Sequence, residues 1–375
     1  MWQHSTFPDE FPGGALGGAE SATWYIARQL SQKHEVEVIT SGGEDSETEV
    51  DGINLVRVKS RLSSKWVRGD LYYKRAMEKA KESDIVEAIT CIEPAFYSDR
   101  VAVHLENDLD PYLPFPRAKA NLYIRRINRI RIVTGVSRYV SKRFSNRFPY
   151  RGKVATVLNG ADCDEFNPKK RDREFLHERY GISDDDTVLT YAGAVHRRKG
   201  LHLLLDALEE INDPCIRLLI LGGLIYSKKR PEDARYLSGQ VERLKKIPQA
   251  TFVGPLPKAE MARVLASSEI FVCPSIWQDP SPLVCAEAQA SGLPVIGFDR
   301  GGVPELVEDS KTGLITEASG HGLAEAIQSL HRDRRFLEIL GASARRRAEV
   351  SLSWRVLSHR IEELLIAAAE MKKSG

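Results

Sequence analysis

Two carboxylates eight positions apart, Asp279 and Glu287, lie in the most informative stretch of this chain, IFVCPSIWQDPSPLVCAEAQASGLPVIGFDRGG. Pro280 and Pro282 forbid a helix before about residue 282 and carry no N–H of their own. The free donors at the start of the following helix are therefore Ser281, Leu283 and Val284. An acid at a helix start, an acid one turn inside it and exposed N–H groups between them suit a sugar carried on a diphosphate. A hydrolytic carboxylate pair is the competing chemistry. Eight residues along one helix would separate the pair by about 12 Å of rise, against roughly 5 to 9.5 Å in glycoside hydrolases. The prolines place Asp279 on a loop, so distance alone leaves that pairing open, and hydroxyl recognition fits the layout better.

The elements around the acids follow from residue type. FVCPS reads as a short buried strand ended by Pro274. Leu283 to Ser291 are good helix formers, and Gly292 suits a helix stop. Pro294 to Phe298 reads as a second buried strand, and Gly301 and Gly302 allow a backbone to approach a ligand closely. Upstream, TVLTYAGAVHRRKG runs from a strand into a basic turn, in which Lys199 can neutralise charge developing on a departing diphosphate. Elsewhere strands such as HEVEVIT, INLVRV, DIVEAI, VAVHL, IRIVTGV, KVATVLN, IRLLILGG and ATFVGP alternate with helical patterns. That alternation predicts parallel sheets with helices on both faces and ligands at the carboxyl ends of the strands.

Together these motifs resemble family 4 retaining glycosyltransferases of the GT-B fold. The donor-site pattern is met by Pro274-Ser275, Asp279, Glu287-Ala288 and Gly292-Leu293-Pro294-Val295. Gly17-Gly18-Ala19-Glu20 is similar to the family's N-terminal glycine loop, VLNGADCDEFNP to its interdomain segment and YAGAVHRRKG to its phosphate loop. FVGPLPKAEM, containing Val253, is similar to the stretch beside the nucleotide base. The resemblance implies an α/β molecule of two Rossmann-like domains facing across a cleft. An acceptor-binding domain would span residues 1–170 and a nucleotide-sugar domain 171–353, with a charged linker near Phe166–Phe175. A terminal helix at 354–375 would return towards the first domain.

The resemblance also implies roles. Gly17, Gly18, Lys199, Ser281, Leu283 and Val284 would hold the diphosphate, and Glu287 the ribose. Asp279 and His104 would address the sugar, making His104, Lys199 and Asp279 the catalytic set. Three departures stand out. The family's first strand has only MWQHSTFPDEFP to form from before Gly13, which favours a missing upstream segment. An arginine usual after the first glycine of the phosphate loop is Ala194, leaving Arg197 or Arg198 to supply the cation. Asp279 stands where glutamate is usual, shortening the reach by roughly 1.5 Å. The expected reaction is retaining transfer from a nucleotide sugar, uridine-linked, to a glycan, lipid-linked or small-molecule acceptor, with no cofactor and no metal. A sugar-nucleotide epimerase of the same fold and a non-catalytic nucleotide-sugar-binding paralogue are the alternatives.

Composition fits an ordinary globular enzyme. The chain has 375 residues, 42% hydrophobic and 28% charged, with formal net charge +2, too long for one typical core. No apolar run approaches the roughly 20 residues that span a bilayer, and the N-terminus resembles neither a signal nor a transit peptide. The five scattered cysteines suggest buried thiols in a reducing compartment, hence a cytoplasmic protein. Charge is unevenly distributed: Pro111–Ala161 holds twelve Lys or Arg and no Asp or Glu. Within it YIRRINRIR is expected to present Arg125, Arg126 and Arg129 along a helix. Such a surface suits an anionic acceptor or a peripheral contact with the inner face of an anionic membrane. Nucleic acid is not expected, because no recognised binding motif accompanies the charge.

Overall fold

The computed structural model describes residues 17–42, 44–59, 65–107, 125–223 and 231–371, and of residues 65–71 the backbone alone. The chain divides into two compact units, residues 1–159 with 354–375, and residues 160–353.

In the first unit, α1 (Gly18–Leu30) leads to β1 (Glu37–Gly42), β2 (Ser46–Val50) and β3 (Ile53–Lys59). These strands form a sheet ordered β1-β3-β2, with β1 parallel to β3 and β2 antiparallel to it. The antiparallel strand departs from the purely parallel expectation. SETEV is a polar edge strand with four of its five residues exposed, so it lacks the apolar run that marks a buried strand. After α2 (Lys65–Lys79) comes an all-parallel sheet of β4 (Val86–Ile89), β5 (Val101–Leu105), β6 (Ile132–Gly135) and β7 (Lys153–Thr156). α3 (Arg138–Arg147) packs beside it, started by the Ser137 hydroxyl, which accepts from the Val140 N–H. One face of this sheet buries Val101, Val103 and Val133 with Ile127, Ile130, Val140 and Phe144. On the other face, Ala102 and Ile132 meet Ala368 of the terminal helix Trp354–Glu370. Arg131 fixes that helix by donating to the Ala368 and Ala369 carbonyls at 2.7 and 2.8 Å.

The expectation of a shortened first strand falls on residues 1–16, and part of the basic window on residues 108–124, both outside the described residues. The expected YIRRINRIR helix is corrected in its described part. Only 125–127 are helical, followed by turns closed by the Arg129 and Ile130 N–H groups on the Arg126 and Ile127 carbonyls. Ile127 and Ile130 are buried and end the segment against the sheet, so it cannot continue as a free helix face.

The second unit holds α4 (Arg173–Tyr180), β8 (Thr187–Ala192), α5 (Leu201–Ile211), β9 (Ile216–Leu221), α6 (Pro231–Leu244), β10 (Ala250–Gly254) and α7 (Lys258–Ala266). Then come β11 (Ile270–Cys273), α8 (Leu283–Ala290), β12 (Val295–Phe298), α9 (Val303–Leu306), β13 (Gly313–Thr316), α10 (Gly320–Arg332) and α11 (Arg334–Arg347). Its six strands are all parallel in the order β10-β9-β8-β11-β12-β13. The order reverses direction at β8, with β9 on one side and β11 on the other, and such a switch point is where open α/β sheets bind ligands. Leu189, Tyr191, Ile220, Val272, Ile296 and Phe298 fill one core with Leu201, Leu204, Leu205 and Leu208 of α5 and Leu323 and Ile327 of α10. Phe166–Phe175 lies inside this unit: Phe166 is fully buried, and the Asp172 carboxylate caps α4 by accepting from the Phe175 N–H at 2.9 Å.

Candidate functional site

The turn after β8 and the loop after β11 meet at the switch point. Arg197–Lys199 form a single 3-10 turn, ended by Gly200 in the left-handed region at φ +74°. A Cβ on Gly200 would sit 1.8 Å from the Pro274 carbonyl oxygen, so the two loops touch backbone to backbone only because this residue is glycine. The contact is completed by the Ile276 N–H donating to the Arg198 carbonyl at 3.0 Å. On the other side, Gly301 and Gly302 close on the same loop. The Gly302 N–H donates to the Asp279 carbonyl at 2.7 Å and the Gly301 N–H to Gln278 Oε1 at 2.6 Å.

This packing brings Lys199 and Asp279 together. Lys199 Nζ donates to Asp279 Oδ2 at 2.5 Å. The same oxygen accepts from Trp277 Nε1 at 3.2 Å and Ser275 Oγ at 3.3 Å, and Asp279 is only 4% exposed. Burial opposes the Lys199 ammonium, but Asp279 outweighs it and the net pKa is raised, so Lys199 is a cation across the physiological range. Asp279 Oδ1 accepts no hydrogen bond among the described residues. His196, in the same turn, is pushed down to about 4 by burial and then by Lys199 and Arg198, so it is neutral. Its buried Nδ1 has no partner among the described residues.

Behind this pair, α8 begins after Pro282, and Leu283 and Val284 are its first residues, both half-buried. First-turn N–H groups have no intrahelical acceptor, so they present partial positive charge at the loop. Ser281 is buried, with 6% exposed. One turn into α8, Glu287 keeps part of its surface open, yet its surroundings raise its carboxyl to about 7, with Lys258 pulling the other way. Lys258, the first residue of α7, is exposed, yet partial desolvation of its ammonium lowers its pKa against the favourable pull of Glu287, and it lies over the Phe166 ring at 5.3 Å. Val253 is half-buried on β10, where the ladder to β9 shifts register between Phe252 and Gly254.

The remaining expected residues belong to the first unit. Gly17 precedes α1 in an extended conformation, its carbonyl accepting from the Ser21 N–H at 2.9 Å, and Gly18 is the first helical residue. His104 lies near the carboxyl end of β5 and is 1% exposed. Nδ1 sits 2.9 Å from Thr134 Oγ1 and 3.7 Å from Glu87, and Nε2 is 3.5 Å from Glu106. Glu106 in turn accepts from Asn159 Nδ2 at 2.9 Å. Burial disfavours the imidazolium, but Glu106 and Glu87 outweigh it and raise the His104 pKa. Sequence reasoning missed both glutamates: the parallel pairing of β4 with β5 delivers Glu87 to His104, and that pairing leaves no motif. Arg125 and Arg129 are exposed, whereas the Arg126 guanidinium lies 4.6 Å over the Phe96 ring. Among the described residues, no group of three or more His, Cys, Asp or Glu is placed to hold a metal ion, and no helix is long and apolar enough to cross a membrane.

Comparison with known proteins identifies the family and the fold. Residues 172–347 match the family described as "Glycosyl transferases group 1", and residues 16–165 match "Glycosyltransferase Family 4". The chain is 28% identical over 93% of both chains to spore coat protein SA of Bacillus subtilis. It is 30% identical to a GDP-mannose-dependent alpha-(1-6)-phosphatidylinositol monomannoside mannosyltransferase of Mycolicibacterium smegmatis, over 68% of this chain and 67% of that one. Among solved structures, Anabaena HepE in complex with UDP-glucose matches with a TM-score of 0.76 at 20% identity, covering 94% of this chain and 97% of that one. That level of identity speaks to the fold alone.

Proposed function

This chain belongs to the family 4 glycosyltransferases, and from that premise we propose that it transfers a sugar, with retention, from a nucleoside diphosphate donor held in the second unit. The observation that carries the reading is the 2.5 Å contact of Lys199 with Asp279 at the switch point, beside the start of α8 and with Glu287 one turn inside that helix.

Lys199 and the Leu283 and Val284 N–H groups bind the diphosphate, and Lys199 stabilises the charge that grows on it as it leaves. Ionised Glu287 accepts from the ribose hydroxyls. Asp279 Oδ1 is the carboxylate oxygen left for a hydroxyl of the sugar. The anomeric carbon loses its bond to the diphosphate oxygen and gains one to the acceptor hydroxyl on the same face. The acceptor proton passes to the departing phosphate. By the resemblance, Gly17 and Gly18 are assigned to the diphosphate and His104 to the transferred sugar, and the first unit is assigned the acceptor. A uridine-linked donor is the expectation carried by the resemblance; a neighbour in fold was crystallised with UDP-glucose, and the mannosyltransferase relative is named for GDP-mannose. A lipid-linked or anionic acceptor is supported by the exposed Arg125 and Arg129 within a window free of Asp and Glu.

The test incubates the full chain with a panel of UDP-, GDP- and ADP-sugars and glycan or lipid acceptors. Nucleoside diphosphate release is measured, and the product's anomeric configuration is read by NMR. One donor is expected to release its diphosphate and give a product of the donor's own configuration. An inverted product would remove the retaining assignment, and an epimerised donor without transfer would replace the reaction.

A further inference from the structure

Ala194 leaves the phosphate loop one cation short of its family pattern, and Arg197 and Arg198 both have the charge to replace it. Their surroundings separate them. The Arg198 guanidinium lies over the Trp277 ring at 5.1 Å, on the same ring that Lys199 Nζ approaches at 5.6 Å. Its charge acts on His196, as does that of Lys199. Arg197 acts instead on His202 of α5 and Tyr236 of α6, which are hydrogen-bonded to each other at 3.0 Å. Both side chains are exposed and make no hydrogen bond or ion pair among the described residues, so the contact with Trp277 is the geometric feature that separates Arg198 from Arg197.

We propose that Arg198 is the second diphosphate-binding cation of this enzyme, and that Trp277 is the positioning residue that holds it alongside Lys199. Trp277 is itself fixed, because its Nε1 donates to the Asp279 oxygen that receives Lys199. The Arg198 backbone is tied to the same loop through the Ile276 N–H. One indole therefore sets both cations: its face carries Arg198, its edge shares the counter-ion of Lys199. A planar guanidinium suits both stacking and two-pronged contact with phosphate oxygens, which an ammonium does not match. His196, being neutral, adds no third charge to this face.

The inference rests on the donor site being in the second unit, and one titration series separates the two claims. The dissociation constants of UDP and GDP are measured by calorimetry on the full chain and on R198A, R197A, W277A, W277F and the R198A/W277A double variant. The nucleotide that wild type binds more tightly should lose roughly 10-fold or more in R198A. The loss in R197A should be smaller. W277F, which keeps an aromatic face, should retain more affinity than W277A. The double variant should lose less than the sum of the two single losses, because the part of the Trp277 effect that runs through Arg198 has nothing left to position, while the part that runs through Asp279 remains. A larger loss in R197A, or fully additive losses in the double variant, would overturn the proposal while leaving the donor site standing. If wild type bound neither of these nucleotides nor ADP, the donor site and the proposal would fall together.

Discussion

Lys199 carries the largest share of the proposed chemistry, and its environment makes the expectation sharp. It is a half-buried cation whose charge is fixed by Asp279. Removing one preorganised donor of this kind typically costs 10²–10³ in kcat, so Lys199→Ala is expected to lower turnover by about 10²-fold or more. Steady-state kinetics with the active donor checks this, and a rate within a few-fold of wild type would move the diphosphate elsewhere. Glu287 offers a pH signature. Its folded pKa of about 7 lies above the ordinary carboxylate value of 4.5, so the protonated form is the one the fold tolerates. That favourable contribution is complete below about 4.5 and lost as pH rises through about 7. Glu287→Gln, neutral throughout, should therefore melt progressively higher relative to wild type between pH 5 and pH 8. In wild type, donor affinity should rise over the same interval, because ribose recognition needs the carboxylate. Thermal melts and calorimetry at the two pH values check both directions. The acids, Lys199 and His104 were all visible as motif positions. The choice between Arg197 and Arg198 was not, because the motif holds both side by side, and the proposal for Arg198 rests on its contact with the Trp277 ring.

At the scale of elements, the site exists because two loops after adjacent parallel strands touch at a glycine. Gly200→Ala would force both a left-handed backbone and a Cβ against the Pro274 carbonyl oxygen. A non-glycine residue in that region costs about 1–3 kcal/mol before any clash, so a clear fall in the chemical-denaturation midpoint is expected, together with weakened nucleotide binding. Unchanged stability would mean that the loops need not meet. The six-stranded sheet was largely legible, because β8, β9, β11 and β12 are buried and mainly apolar, and glycine or proline directly follows the first three of them. β2 was not, because a polar edge strand carries no burial signal. YIRRINRIR misled in the opposite way: its arginines were expected along one helix, but the helix ends at Ile127 and the chain turns, with Ile127 and Ile130 buried in the sheet's core.

For the whole molecule, two expectations concern its surroundings. Transfer should survive a chelator, since Lys199 and the start of α8 can supply the positive potential that a metal provides elsewhere. An absolute requirement for added magnesium or manganese would contradict that. The cationic window should bind anionic vesicles at low salt and release them at high salt, as the Debye length shrinks from about 10 Å at 0.1 M to about 3 Å at 1 M. Arg125→Glu/Arg129→Glu should weaken sedimentation with such vesicles, and salt-independent binding would point to an apolar contact.

The central claim is that Glu287, Lys199 and the start of α8 form the seat of a nucleoside diphosphate. Thermal or chemical denaturation of wild type and Glu287→Ala, with and without UDP, GDP and ADP, tests it most directly. One nucleotide at 100 times its dissociation constant should stabilise wild type by about 2.7 kcal/mol and add little to Glu287→Ala. Equal stabilisation of the two proteins, or none of wild type by any of the three nucleotides, would contradict the account.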